Sequence, residues 1–139
     1  SEVEAPVNDD CGDAYLIDPM GPYVEGSTLA ASGNDESSCG SDDTHDVWYM
    51  FTPDTTDYYS VVLYRAEGLF AGTITLYDGD SCSPLPAAEL GCEELLDGWD
   101  VTIGDVELLA LQTYLIRVAS DDAGQGVFGI EIYTNGSYY

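Results

Sequence analysis

The chain has 139 residues, 45% of them hydrophobic, and its 27 Asp and Glu stand against two Arg and no Lys, for a formal net charge of −25. This length fits a single domain over residues 1–139, and the hydrophobic content excludes a disordered chain. A surface of this charge repels nucleic acid and anionic lipid, and no apolar run approaches the ~20 residues that span a bilayer. We therefore expect no nucleic-acid partner and no membrane insertion.

Short β-branched and aromatic runs between turn signals predict strands along the whole chain. Five runs are clear: Asp46–Phe51, Tyr58–Tyr64, Thr73–Tyr77, Tyr114–Ala119 and Val127–Tyr133. Four are weaker: Tyr15–Ile17, Tyr23–Leu29, Ala87–Cys92 and Val101–Leu108. No segment keeps a 3.6-residue period, so the sequence predicts an all-β fold, an antiparallel, jelly-roll-like β-sandwich of about eight or nine strands.

The first seven residues form a separate candidate strand. In Glu2–Val7 apolar and polar residues alternate, and Pro6 suits a sheet edge. Such a strand closes its own sheet or pairs with the sheet edge of a neighbouring molecule, and a frayed tail is the third alternative. The aromatic C-terminus also suits a contact, within this chain or with another copy. The candidate assembly residues are Val3, Ala5, Val7, Tyr138 and Tyr139.

Four cysteines, an even number in a small acidic chain, indicate two disulfides and an extracellular, oxidising compartment. They are Cys11, Cys39, Cys82 and Cys92. A metal site would need short C-x-x-C spacings, which are absent. Of the three arithmetical pairings we expect Cys11–Cys39 and Cys82–Cys92, because each of these pairs brackets its own polar loop.

The sequence predicts no enzyme. Its one histidine, His45, sits in an acidic loop, there is no Lys, and the cysteines are expected to be oxidised, so few nucleophiles or bases remain. Among the aromatic residues, Trp48 is expected in the core, whereas Trp99 lies on a turn and is the candidate exposed binding ring. The run Asn135-Gly136-Ser137 fits both an N-glycosylation acceptor and a turn.

Several segments in order resemble the bacterial pre-peptidase C-terminal domain family, in its variant with paired cysteines. They are Asn8–Asp9, Tyr23–Leu29, Asp46–Phe51, Leu76–Gly79 and Thr113–Val118 with the Gly-rich turn after it. The resemblance runs from Asn8 to Tyr133 and implies a β-sandwich of the kind appended to secreted proteases. Clostridial collagenase relatives in this family bind calcium and collagen. No counterpart of a collagen-binding surface is evident in this sequence, so collagen is not carried over as a ligand.

The resemblance also implies a calcium site between two acidic clusters, Asn8 to Asp10 before the first cysteine and Asp42, Asp43 and Asp46 before the Trp48 strand. Calcium takes six to eight oxygen ligands, mostly carboxylates and carbonyls. The spacing Asp43-x-x-Asp46 resembles the family's second ligand pair, and Glu4 offers a further oxygen. A solvated acidic loop is the alternative. The candidate ligands are Asn8, Asp9, Asp10, Asp43 and Asp46.

Two functions remain open for this non-catalytic extracellular domain. The first is a self-assembling subunit of an extracellular filament or surface layer, with other copies of the chain as partners. The second is an accessory module of a secreted hydrolase that binds polysaccharide or an extracellular protein.

Overall fold

Alternating apolar side chains build the strands that the sequence predicts. The computed structural model describes residues 6–18, 23–33, 39, 44–67, 70–82, 88–96 and 98–134. All nine predicted strands are present, and each end lies within three residues of its expected position. They are β1 Tyr15–Leu16, β2 Val24–Ser27, β3 His45–Phe51, β4 Asp57–Glu67, β5 Gly72–Asp78, β6 Glu89–Leu95, β7 Asp100–Leu108, β8 Tyr114–Ser120 and β9 Val127–Thr134. A 3-10 turn, Cys11–Asp13, precedes β1.

The strands form two sheets, which confirms the predicted sandwich. One sheet has five strands in the order β1-β3-β8-β5-β6, and the other has four in the order β2-β9-β4-β7. All strand neighbours are antiparallel except β1, which runs parallel to β3. Side chains from the inner faces of both sheets fill one core. In β9 this inner face carries the predicted Phe128, Ile130 and Ile132, all buried.

The outer face of the five-stranded sheet is covered as well. Trp48 and Tyr49 point to opposite faces, as expected for neighbours on a strand, yet both are buried. Tyr49 enters the main core, whereas Trp48 stacks on Tyr77 with ring centroids 6.1 Å apart in a second cluster that includes Leu115. Cys11 and its neighbourhood pack against that second cluster. The N-terminal segment therefore shields this face from water.

The disulfide pairing expected from the sequence is wrong. Cys11 pairs with Cys82 and Cys39 pairs with Cys92, with Cα–Cα distances of 5.5 and 6.0 Å. Cys92 stands opposite Thr75 on the outer face of the five-stranded sheet, 3.3 Å from the Thr75 hydroxyl. The bridges thus join distant parts of the chain instead of closing two local loops.

The sandwich has two ends, which are named here by one residue each. The Thr52 end carries the β3–β4 and β7–β8 connections, and the Trp99 end carries the β6–β7 and β8–β9 connections. Strands of seven to eleven residues join them, so the ends lie ~20–35 Å apart at ~3.3 Å per residue.

The predicted N-terminal strand Glu2–Val7 is not seen in its described part. Pro6 and Val7 begin a turn in which the Asp9 amide donates to the Pro6 carbonyl at 3.1 Å, and Val7 is 71% exposed. The chain bends here and brings Asn8 against Trp48 of β3. The remaining assembly residues and the glycosylation motif lie outside the described residues: Val3, Ala5, Asn135, Tyr138 and Tyr139.

Candidate functional site

Asn8, the first predicted calcium ligand, is a buried link to β3. Its Nδ2 donates to the Trp48 carbonyl at 2.9 Å, and its own carbonyl accepts from the Trp48 amide at 3.0 Å. A further hydrogen bond joins the Asn8 side chain to the Tyr49 hydroxyl. Burial raises the pKa of Tyr49 to about 12, and the bond to Asn8 opposes that shift. Asn8 therefore serves the fold at this position.

The neighbouring carboxylates have different surroundings. Asp9 accepts from the Ser32 amide at 2.6 Å and from the Ser32 hydroxyl at 3.1 Å, which fixes the start of the chain to the segment after β2. Asp10 is exposed. Asp43 and Glu4 lie outside the described residues.

Asp46 is held in a buried ion pair. The Arg117 Nε donates to its Oδ2 at 2.8 Å, and the two side chains are 0% and 2% exposed for Arg117 and Asp46 respectively. Gly33 lies directly against the carboxylate, where a side chain on residue 33 would overlap it. Sequence analysis missed Arg117, although an Arg inside the apolar run of β8 indicates a buried cation that needs a partner.

The predicted metal ligands are thus only partly brought together. Within the described ranges no group of three or more His, Cys, Asp and Glu side chains is placed to hold a metal ion. Three of the five predicted ligands already have protein partners: Asn8, Asp9 and Asp46. Calcium binding stays a prediction.

His45, the single histidine, is fixed at the Trp99 end. Its Nδ1 lies 2.7 Å from the Ala31 carbonyl, so this nitrogen carries the proton and donates. Its Nε2 lies 3.4 Å from the exposed carboxylate of Asp122. Both ring nitrogens are therefore engaged in holding the β3 start to neighbouring loops.

The outer face of the four-stranded sheet displays a group of aromatic and acidic side chains, named here the tyrosine face. Tyr64 stands opposite Gly129 and diagonal to Glu131, and its hydroxyl donates to Glu131 Oε1 at 2.9 Å. Tyr23 packs over Gly129, where no side chain fits beneath its ring, with its centroid 5.7 Å from that of Tyr64. The members of the tyrosine face are Tyr23, Tyr58, Tyr64, Tyr133, Glu25 and Glu131.

The tyrosine face is open and electronegative. Tyr58, Tyr133 and Tyr23 are each about two-fifths exposed or slightly less. Desolvation, the Glu131 hydrogen bond and the nearby carboxylates raise the pKa of Tyr64 to about 12. From Tyr64 to Tyr58 the face extends over six residues of β4, ~20 Å at ~3.3 Å per residue.

Neither cation of the chain lies on this face. Arg117 is buried on the outer face of the other sheet, and Arg65 points away from Tyr64 because neighbours on a strand alternate. The Arg65 guanidinium donates to the carbonyls of Phe70 and Leu96 at 2.8 and 3.2 Å. Sequence analysis did not identify the tyrosine face, because Tyr23 and Gly129 meet only through the β2–β9 register.

Trp99, the ring that the sequence put forward for binding, is 76% exposed, which confirms its predicted exposure. It lies on the β6–β7 connection, and its carbonyl accepts from the Arg65 amide at 2.9 Å. Its role in binding stays a prediction. At the opposite end of the sandwich a cavity of about 320 Å³ is lined by Leu16, Ile17, Asp18 and Thr52.

Within the described residues, no helix is long and apolar enough to span a membrane. No protein-family model and no curated protein sequence matches the chain. Among solved structures, it is similar to the pre-peptidase C-terminal domain of collagenase from Bacillus anthracis, at 14% identity and a TM-score of 0.54 over 86% of this chain and 93% of that one. It is also similar to a family 35 carbohydrate binding module from an environmental isolate, at 16% identity and a TM-score of 0.42 over 76% and 85% of the two chains. The chain thus has a β-sandwich fold like that of a pre-peptidase C-terminal domain.

Proposed function

We propose that the chain is a non-catalytic extracellular binding domain that holds a polysaccharide on its tyrosine face. The observation that supports this proposal is the row of exposed rings and carboxylates across β2, β9 and β4. Tyrosine rings supply flat apolar surfaces with a polar rim, which suits the faces of sugar rings. Glu25 and Glu131 add acceptors for sugar hydroxyls at fixed positions.

The charge of the chain narrows the ligand class. At −25, with no cation on the tyrosine face, the domain repels sulfated and uronic-acid polymers. Neutral polysaccharides are the ligands that this face accepts. Two disulfides support an extracellular location, since such bridges persist in oxidising compartments. The same fold serves as a domain of a collagenase, so an accessory role beside a secreted hydrolase is compatible with it.

Isothermal titration with a panel of neutral oligosaccharides tests this function. Tyr133→Ala removes one ring of the tyrosine face, and Glu131→Gln removes a charged acceptor. Each variant should weaken binding about tenfold or more, the effect expected of an interface anchor. Tyr15→Ala is the matched control, because Tyr15 is similarly exposed but belongs to the other sheet. If no neutral glycan binds, or if Tyr15→Ala weakens binding equally, the proposal fails.

Self-assembly into an extracellular filament or layer is the second candidate function. Exposed apolar side chains lie at both ends of the sandwich, which favours contacts between copies placed end to end. The Thr52 end carries Leu16, Leu109 and Leu111, and the Trp99 end carries Leu29, Leu96 and Trp99. The roles in assembly given above to Val3, Ala5, Val7, Tyr138 and Tyr139 remain part of this proposal.

A further inference from the structure

Trp99 is a rigid apolar projection at one end of the molecule. Its side chain is 76% exposed, while its backbone is fixed by the Arg65 amide. The Arg65 guanidinium also holds the carbonyl of Leu96, which is itself 60% exposed. An indole on a fixed turn loses little conformational freedom when it is buried, and Trp is one of the residue types enriched among the dominant contacts of protein interfaces.

The opposite end offers a cavity of matching character. Leu16, Ile17 and Thr52 line a space of about 320 Å³, at the lower limit of typical ligand pockets, with Asp18 as its charged member. The neighbouring loop adds apolar surface, because the Leu111 amide donates to the Pro53 carbonyl at 2.8 Å and the Leu111 side chain is 78% exposed. The Thr52 hydroxyl is paired with that of Thr113 at 3.0 Å, which ties the two loops together.

We propose that Trp99 of one copy inserts into the Thr52-end cavity of a second copy. This inference rests on the self-assembly candidate and names its contact. The Trp99 side chain, the knob of this contact, and the cavity lie at opposite ends of the molecule. The contact therefore joins two different surfaces, one from each copy. Such a heterologous contact repeats without limit and builds a fibre unless it closes into a ring. Asp18 at the rim of the cavity faces the indole N–H, a donor that needs an acceptor when it is buried.

The exposed apolar area fits a second copy bound weakly. The three leucines of the Thr52 end are 76%, 50% and 78% exposed, equivalent to about two full side chains. The other surface of the contact carries Trp99, Leu29 and Leu96. Together the six residues expose ~300–550 Å² of apolar surface. This range assigns each leucine the area that matches its burial energy at ~25 cal/mol per Å², and the aromatic residue ~150–250 Å². Since interfaces are about 60% apolar, this implies a contact at or below the ~1,000 Å² of stable complexes. Assembly must therefore depend on concentration and on cations that reduce the repulsion between chains of charge −25.

Two complementary variants of the full chain test the contact. Trp99→Ala removes the knob and keeps the cavity, whereas Leu16→Asp spoils the cavity and keeps the knob. Light scattering and sedimentation in high salt with calcium measure the oligomeric state. Under these conditions the unaltered chain should form concentration-dependent oligomers, and each variant alone should stay monomeric. A 1:1 mixture of the variants should form dimers and nothing larger, because it contains one intact knob and one intact cavity.

Tryptophan accessibility gives an independent readout. Trp48 is buried and Trp99 is exposed, so acrylamide quenches about half of the tryptophans in the monomer and should quench almost none in the assembly. Asp105→Asn, at an exposed position on β7, is the control variant and should assemble like the unaltered chain. If Trp99→Ala assembles normally, or if the mixed variants do not dimerise, the proposed contact is wrong although self-assembly stands. If the unaltered chain stays monomeric in every condition, self-assembly itself is wrong. Circular dichroism of Leu16→Asp checks that this variant is folded, so that its loss of assembly is not caused by misfolding.

Discussion

Asp46 and Arg117 form an ion pair, 2.8 Å long, on the outer face of the five-stranded sheet, and almost no part of either side chain reaches water. Arg117 stands between Trp48 on β3 and Thr75 on β5 in one row across the sheet. Cys11 packs against the Trp48 cluster on this face, and its disulfide to Cys82 fixes the N-terminal segment there. Because both side chains are buried, each charge needs the other: a desolvated guanidinium or carboxylate is costly without its partner.

Arg117→Met should destabilise the fold by about 3–5 kcal/mol, because it leaves the Asp46 carboxylate buried without its cation. The double variant Asp46→Leu with Arg117→Met should recover much of that loss, since neither charge then remains. Chemical denaturation measures both free energies of unfolding. Arg65→Met is the control and should cost less, because Arg65 is only half-buried. Equal losses in the single and double variants would contradict a dominant role for the pair.

Non-reducing peptide mapping should join Cys11 to Cys82 and Cys39 to Cys92. Replacing Cys39 and Cys92 by Ser should lower the free energy of unfolding by about 2–4 kcal/mol, since each bridge closes a long loop of the unfolded chain. The loops span 71 and 53 residues of sequence separation, so Cys11→Ser with Cys82→Ser should cost a similar amount. Recovery of a disulfide-linked peptide that joins Cys82 to Cys92 would contradict this pairing.

The sequence predicted the strands because the pattern of apolar and polar residues within each strand reflects which of its faces are buried. The alternation in β9 gives the buried Phe128, Ile130 and Ile132, and the turns between the runs separate the strands. The continuous burial of β8 has a signal as well, because an apolar run interrupted only by Arg117 indicates a strand covered on both faces. The residues of such a strand do not show which other parts of the chain cover it.

The disulfide pairing and the tyrosine face depend on relationships between distant segments. Cys92 is bonded to Cys39, 53 residues away in the sequence, and local loop lengths carry no information on such a distant pairing. Tyr23 lies over Gly129 through a register set by the whole β2–β9 pair. A single sequence shows neither relationship. Trp99 was predictable as exposed because a turn flanked by Asp and Gly leaves its ring in solvent.

If calcium binds as the acidic N-terminal cluster predicts, the melting temperature should rise more with Ca²⁺ than with Mg²⁺ at equal ionic strength. A ligand that binds only the folded state stabilises it by mass action, whereas general screening does not distinguish the two ions. Asp10→Asn should remove the difference, because Asp10 is the exposed carboxylate of the cluster. Asp105→Asn, on β7 of the other sheet, is the control. Equal effects of both ions would mean that the cluster is solvated.

Alkaline pH should weaken the fold through Tyr49. Burial raises the pKa of its hydroxyl from 10.0 to about 12 in the folded state, so the folded chain keeps this proton at pH values where the unfolded chain loses it. The stabilisation is fully present below pH 10 and is lost as the pH rises through about 12, with a loss of about 2–3 kcal/mol, since one pKa unit corresponds to ~1.4 kcal/mol. Denaturation of the unaltered chain and of Tyr49→Phe across pH 9–12 measures the effect. Tyr49→Phe loses the hydrogen bond to Asn8 at every pH, but its stability should fall less steeply between pH 10 and 12. Tyr58→Phe, which removes an exposed hydroxyl, should keep the steep fall, and identical slopes in all three proteins would show that the Tyr49 hydroxyl reaches water in the folded state.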